Sequence, residues 1–119
     1  MNSTNSALVN LSYLQSVSGG NREFEKMLLT GAIQDIDQQT NILYKSWVTK
    51  NPDAFYKAAH ILKSVTAIVG LNAMQQCCLK IEKFSADIIF HEEGQDIYNQ
   101  ISNYWLLGKE ELHQIISKY

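Results

Sequence analysis

Apolar positions recur along this chain at three- and four-residue intervals over long stretches, the pattern of helices with one buried face. No alternating run of β-branched residues bounded by turn residues occurs, so nothing predicts a strand. A short helix is predicted over Ser12–Ser18, stopped by Gly19-Gly20, which can take the left-handed conformation that closes a helix. Asn21 is placed to cap the next helix, and Glu23 lies in its first turn, where a carboxylate favours the helix dipole. That helix runs to about Lys50, with Phe24, Met27, Leu28, Ile36, Leu43 and Trp47 as its apolar face. Asn51-Pro52-Asp53 then reads as N-cap, N1 and N2, with proline where its missing N–H is not needed. The third helix continues through Val69 and ends at Gly70. Asn72 caps a fourth, predicted to run to about Ile89. The polar run His91-Glu92-Glu93-Gly94 breaks the pattern. A last helix from about Gln95 carries Ile97, Ile101, Trp105, Leu112 and Ile116.

Four long helices with short connections pack as antiparallel neighbours. The predicted fold is therefore all-α: an up-and-down antiparallel four-helix bundle with a short additional N-terminal helix. The 119 residues fit one domain over 1–119, with residues 1–10 as a flexible lead-in. There is no repeat, low-complexity tract or interdomain linker. Helical bundles host many unrelated functions, so the fold alone does not name one.

Composition narrows the field. A net charge of −2 gives no basic patch of the kind nucleic-acid binders carry. No apolar run approaches the length of a membrane span, and Met1–Ser6 lacks the basic flank and apolar stretch of a secretion signal. The expectation is a soluble cytoplasmic protein that binds neither nucleic acid nor membrane. Cys77 and Cys78 are adjacent and are the only cysteines. A vicinal pair is badly placed for an ordinary disulfide and lacks zinc-ligand spacing, so reduced thiols in or near the core are expected.

The helix from Pro52 to Val69 carries the most specific pattern. On a wheel of 100° per residue, Phe55, Ala58, Leu62, Val65 and Val69 share one side and His60 lies opposite. Lys57 and Lys63 flank it at three residues either way, Ser64 follows at four and Ala67 at seven. An imidazole with an unperturbed pKa of about 6.5 is a nucleophile near neutral pH. A neighbouring lysine can steady an anionic group arriving on it, and small side chains leave room for a partner surface. Taken alone, this wheel fits a solvated histidine beside a lysine better than a reactive one. The turn adds a second constraint. If the helices flanking Gly70–Asn72 are antiparallel, His60 and Glu82, each eleven residues from Leu71, stand level. A carboxylate there could accept a hydrogen bond from Nδ1–H and leave Nε2 free to attack. The arithmetic fixes the height of Glu82 but not its azimuth, so a solvent-facing Glu82 remains open.

The run Ala58-Ala59-His60-Ile61-Leu62-Lys63-Ser64, followed by Gly70, resembles the phospho-acceptor motif of histidine-phosphotransfer (HPt) domains. Its usual form is A-H-x-L-K-[GS], with glycine ten residues after the histidine. Ser64 and Ala67 match its small residues at plus four and plus seven. Leu79 and Glu82 resemble the pattern of the following helix, where a carboxylate or amide often lies near the histidine. Leu11-Ser12-Tyr13-Leu14 through Gly19-Gly20 and Phe24 resembles the family's entry into its first long helix. The likeness runs by motif from Leu11 to Glu82. It departs mildly at Ser64, where glycine is commoner, adding a hydroxyl that could hinder docking or contact the phosphoryl group.

The resemblance implies a phosphorelay intermediate. His60 Nε2 would accept a phosphoryl group from an aspartyl phosphate on a response-regulator receiver domain and pass it to another receiver. Lys63 would be its charge partner and Glu82 would orient the ring. Tyr56, Lys57, Ser64, Ala67, Gly70 and Leu71 would form the docking face. The chain would be a monomeric phosphocarrier rather than an enzyme, binding no cofactor or metal, with Mg²⁺ on the partner receiver and a hybrid sensor kinase upstream. It contains no glycine-rich nucleotide loop, so self-phosphorylation from ATP is not expected. The competing reading is a helical protein-interaction module without phosphoryl transfer. A carboxylate-bridged di-metal bundle is rejected: Glu110-Glu111-Leu112-His113 supplies one E-x-x-H, and that class needs two plus further inward carboxylates.

Overall fold

Capping side chains and left-handed residues set several of the helix ends. The computed structural model describes residues 8–119. α1 (Ser12–Ser18) closes at Gly19, whose φ is 63°. α2 (Arg22–Thr49) starts where the Asn21 side chain accepts the Phe24 N–H at 3.0 Å, and it ends at Lys50 in the left-handed region. α3 (Pro52–Ile68) starts in the same way, with the Asn51 side chain accepting the Ala54 N–H at 3.2 Å and Pro52 in the first turn. Its last turn is closed by N–H donation from Gly70 to Ala67 and from Leu71 to Thr66. α4 (Asn72–Ile81) and α5 (Glu92–Ile116) complete the chain. α2 packs on α3, α3 on α4, α4 on α5, and α5 back on α2, which closes the four-helix bundle; α1 lies against α2.

Three boundaries differ from the sequence reading. α4 ends at Ile81 rather than near Ile89, and residues 82–91 form successive turns. On a continued helix Phe90 would lie 180° from Ile81. The turns instead bring Ile89 fully into the core and put Phe90 against Trp47, Phe55 and Lys50. α5 begins at Glu92, not Gln95, because the His91 carbonyl accepts the Gln95 N–H at 2.8 Å and two glutamates occupy the first turn, where the dipole favours them. Gly94 permits this crossing, since a Cβ there would lie 1.6 Å from the Ile89 carbonyl oxygen. Asn72 is the first residue of α4 rather than its cap. Leu71 occupies the cap position, without a side-chain bond.

The core is built from Leu29, Ile33, Ile36 and Leu43 of α2, Phe55, Ala58, Ala59 and Leu62 of α3, Met74, Cys77, Cys78 and Ile81 of α4, and Ile97, Ile101, Trp105 and Leu112 of α5. Met27, expected on the buried face of α2, is 61% exposed. Glu25 takes the inward place in that turn, accepting hydrogen bonds from the hydroxyls of Ser18 and Tyr119. Val65 of α3 is half-buried, and Thr66 is fully buried with its hydroxyl donated to the Leu62 carbonyl at 2.6 Å. Both cysteines are free and buried, as expected. Burial, with help from Cys77 and Glu82, pushes the Cys78 thiol up to about 12.

Of the lead-in 1–10, residues 1–7 lie outside the described residues. Residues 8–10 are hydrogen-bonded to the bundle. The Glu111 carboxylate accepts the N–H groups of Leu8 and Val9 at 2.8 and 3.0 Å, and Asn10 donates to the Gly70 carbonyl at 3.0 Å.

Candidate functional site

Burial of Phe55, Ala58, Ala59 and Leu62 fixes the rotation of α3, and that rotation turns His60 outward with its side chain 66% exposed. One helical turn on, Lys63 is pinned against α4. Its side chain is only 25% exposed, and its Nζ lies 3.0 Å from Glu82 Oε1. The same oxygen lies 3.5 Å from His60 Nδ1. Glu82, the exposed C-cap residue of α4, thus directs one carboxylate oxygen at both His60 and Lys63. The hydrogen bond from Lys63, assisted by its charge and by His60, outweighs partial desolvation and holds the Glu82 carboxyl below the usual carboxylate range. At 3.5 Å the imidazole contact is longer than an ordinary hydrogen bond and is mainly electrostatic. With Nδ1 facing the carboxylate, Nε2 lies on the far edge of an exposed ring.

His60 opens onto a surface cleft of about 530 Å³ lined by Tyr56, Lys57, His60, Glu82 and Phe84. The Tyr56 hydroxyl donates to the Phe84 carbonyl, which ties the segment after α4 to α3 and makes a wall of that cleft. Partial burial pushes the Tyr56 phenol upward, so it stays a donor. Phe84 was missed from sequence because the fourth helix was expected to continue to about Ile89; Ser85 and Asp87, polar residues beside an apolar run, were the available signal. On α3 itself, Lys57 and Ser64 are exposed, while Tyr56 and Ala67 are half-buried.

Two residues expected on a docking face are buried. Leu71 is 2% exposed and packs against Gly108 of α5, where a Cβ would come within 2.9 Å of a Leu71 methyl. Gly70 is buried beneath Asn10: its φ is 70°, and a Cβ would lie 1.7 Å from the Asn10 carbonyl oxygen. Glycine ten residues after His60 is thus required by backbone packing. Glu110 and His113, the one E-x-x-H spacing, are both exposed on α5.

Among solved structures, histidine-containing phosphotransfer protein B from Pseudomonas aeruginosa superposes with a TM-score of 0.82 at 16% sequence identity, over 96% of this chain and 98% of that one. The chain has the HPt fold. Neither a protein-family model nor a curated protein matches the sequence. At this level of identity the HPt likeness rests on backbone shape alone.

Proposed function

We propose that this chain is a phosphorelay carrier that receives a phosphoryl group on His60 Nε2 from a receiver-domain aspartyl phosphate and passes it to another receiver. The observation that carries this reading is the grouping of an exposed His60 with Lys63 and Glu82 on the outer face of an HPt-type bundle. In the forward step the Nε2 lone pair forms the P–N bond while the acyl P–O bond breaks, its electrons returning to the donor carboxylate. Release reverses this onto the acceptor aspartate.

Phosphoryl transfer depends on in-line positioning and charge stabilisation more than on covalent catalysis by the protein. The chain contributes the nucleophile, Lys63 as the charge partner, and Glu82 to hold the ring with Nε2 outward. Mg²⁺ and the acidic pocket belong to the receiver, which makes this protein a substrate and carrier rather than an autonomous enzyme. Tyr56, Lys57, Ser64 and Ala67 supply the docking face, with the lysines complementary to an acidic pocket. The proposed partners are response-regulator receivers and a hybrid sensor kinase, met by a monomer in the cytoplasm. Among the described residues no helix is long and apolar enough to cross a membrane. Incubation with a panel of phosphorylated receivers tests the reading: label moves to the wild-type chain and not to His60→Gln. Label on His60→Gln, or none on wild type across the panel, would count against it.

A further inference from the structure

One carboxylate oxygen, Glu82 Oε1, serves both Lys63 Nζ and His60 Nδ1. We infer that the Glu82 carboxylate acts as an electrostatic counterweight to the phosphoryl group: it keeps Lys63 engaged and the Nδ1 proton in place, so His60 holds its cargo weakly and releases it readily. This deepens the reading of His60 as a phosphoryl acceptor and rests on it.

The charged groups that face His60 are Lys57 and Lys63 on α3 and Glu82 at the end of α4. The Tyr56 hydroxyl in the same cleft is committed to the Phe84 carbonyl. A phosphoryl group brings about −1.5 to −2 of charge near neutral pH. It arrives beside a lysine already compensated by Glu82 at 3.0 Å, so the field that would retain it is reduced. The carboxylate also lies 3.5 Å from Nδ1, the nitrogen that carries the ring proton when Nε2 bonds phosphorus. When Nε2 bonds phosphorus and Nδ1 keeps its proton, the ring is cationic. When the P–N bond breaks, its electron pair returns to Nε2 and leaves a neutral imidazole, a far better leaving group than an imidazolate. Both effects act in one direction, towards release. They arise from the charge of Glu82, whereas orienting the ring needs only an acceptor oxygen.

Glu82→Gln separates the two roles, because it keeps an acceptor oxygen beside Nδ1 while the charge is gone. Wild type, Glu82→Gln and Glu82→Ala are phosphorylated with phosphoramidate, which transfers its phosphoryl group to a histidine nitrogen as its own P–N bond breaks and ammonia leaves. Label at His60 is isolated by mass spectrometry against a His60→Gln reference, and its loss to water is followed from pH 4 to pH 9. Circular dichroism and urea titration verify that each variant is folded. The expected result is a phosphohistidine about two- to fivefold longer-lived in Glu82→Gln at neutral pH, as one charge at a solvent-exposed site would give. Its acid-promoted loss should set in at lower pH than in wild type, and Glu82→Ala should move in the same direction. Wild-type lifetimes and pH profile in Glu82→Gln would overturn the inference, leaving orientation only. So would faster loss, or failure of Glu82→Gln to be labelled at all. Phosphoramidate bypasses the receivers, so a wild type labelled by phosphoramidate but by no receiver would refute the relay role alone.

Discussion

Lys63 spans the distance between a solvated histidine and a reactive one. Its Nζ is held 3.0 Å from Glu82 with the side chain three-quarters covered, so its charge is fixed in place beside His60 rather than sweeping through solvent. Removing that charge with Lys63→Met should slow phosphoryl acceptance from a receiver about tenfold, or about 1.4 kcal/mol in the barrier, in single-turnover labelling. The bundle should stay folded, since the methionine stem replaces the covered methylenes. At this scale the sequence was most legible for His60, whose exposure follows from the apolar positions of α3 alone. Lys63 and Glu82 were placed by helix spacing and by counting outward from Leu71, and both are found beside His60. Leu71 and Gly70 were misplaced. A wheel drawn for one helix cannot tell that α5 offers Gly108 as a seat for Leu71, or that the lead-in lies on Gly70.

Among the elements, those with side-chain caps were the readable ones: Asn21 and Asn51 mark the starts of α2 and α3 in sequence and in structure alike. Asn51→Ala should destabilise the fold by about 1 kcal/mol in urea titration, the ordinary value of a lost N-cap. The end of α4 was not readable, because Ile88-Ile89-Phe90 continues an apolar pattern that the chain satisfies by turning rather than by helix. Its boundary is set by tertiary contacts, with Ile89 in the core and Phe90 against the aromatic cluster. The turn between α3 and α4 is the most demanding position of all. Gly70→Ala meets both a left-handed φ of 70° and the Asn10 carbonyl. It should cost about 2–4 kcal/mol, read as a lower urea midpoint, and should free the lead-in as faster amide exchange at Asn10.

At the scale of the whole molecule, three carboxylates among the described residues titrate below their usual range when the chain is folded. Hydrogen bonds from Ser18 and then Tyr119 hold Glu25 down, and the Lys63 hydrogen bond does so for Glu82. For Asp37, partial burial pushes upward but is outweighed by hydrogen bonds from Lys109 and Trp105. A folded pKa below the unfolded one adds stability that is present in full above the unfolded value of about 4 and is lost as pH falls through the folded value. The melting temperature should therefore hold steady from pH 7 to about pH 5 and fall below about pH 4, and Asp37→Asn should flatten that fall. The fold class was legible from periodicity because every long helix buries one stripe. The proposed function was readable because an HPt-type bundle places one face of α3 in solvent, and His60 and Lys63 on that face are the residues the proposal uses. The most direct test of that claim is to mix the chain with a phosphorylated receiver and locate the transferred group by mass spectrometry. The account predicts an acid-labile, alkali-stable phosphate on His60 of the wild type and none on His60→Gln. Phosphate at another residue, or transfer that survives in His60→Gln, would contradict it.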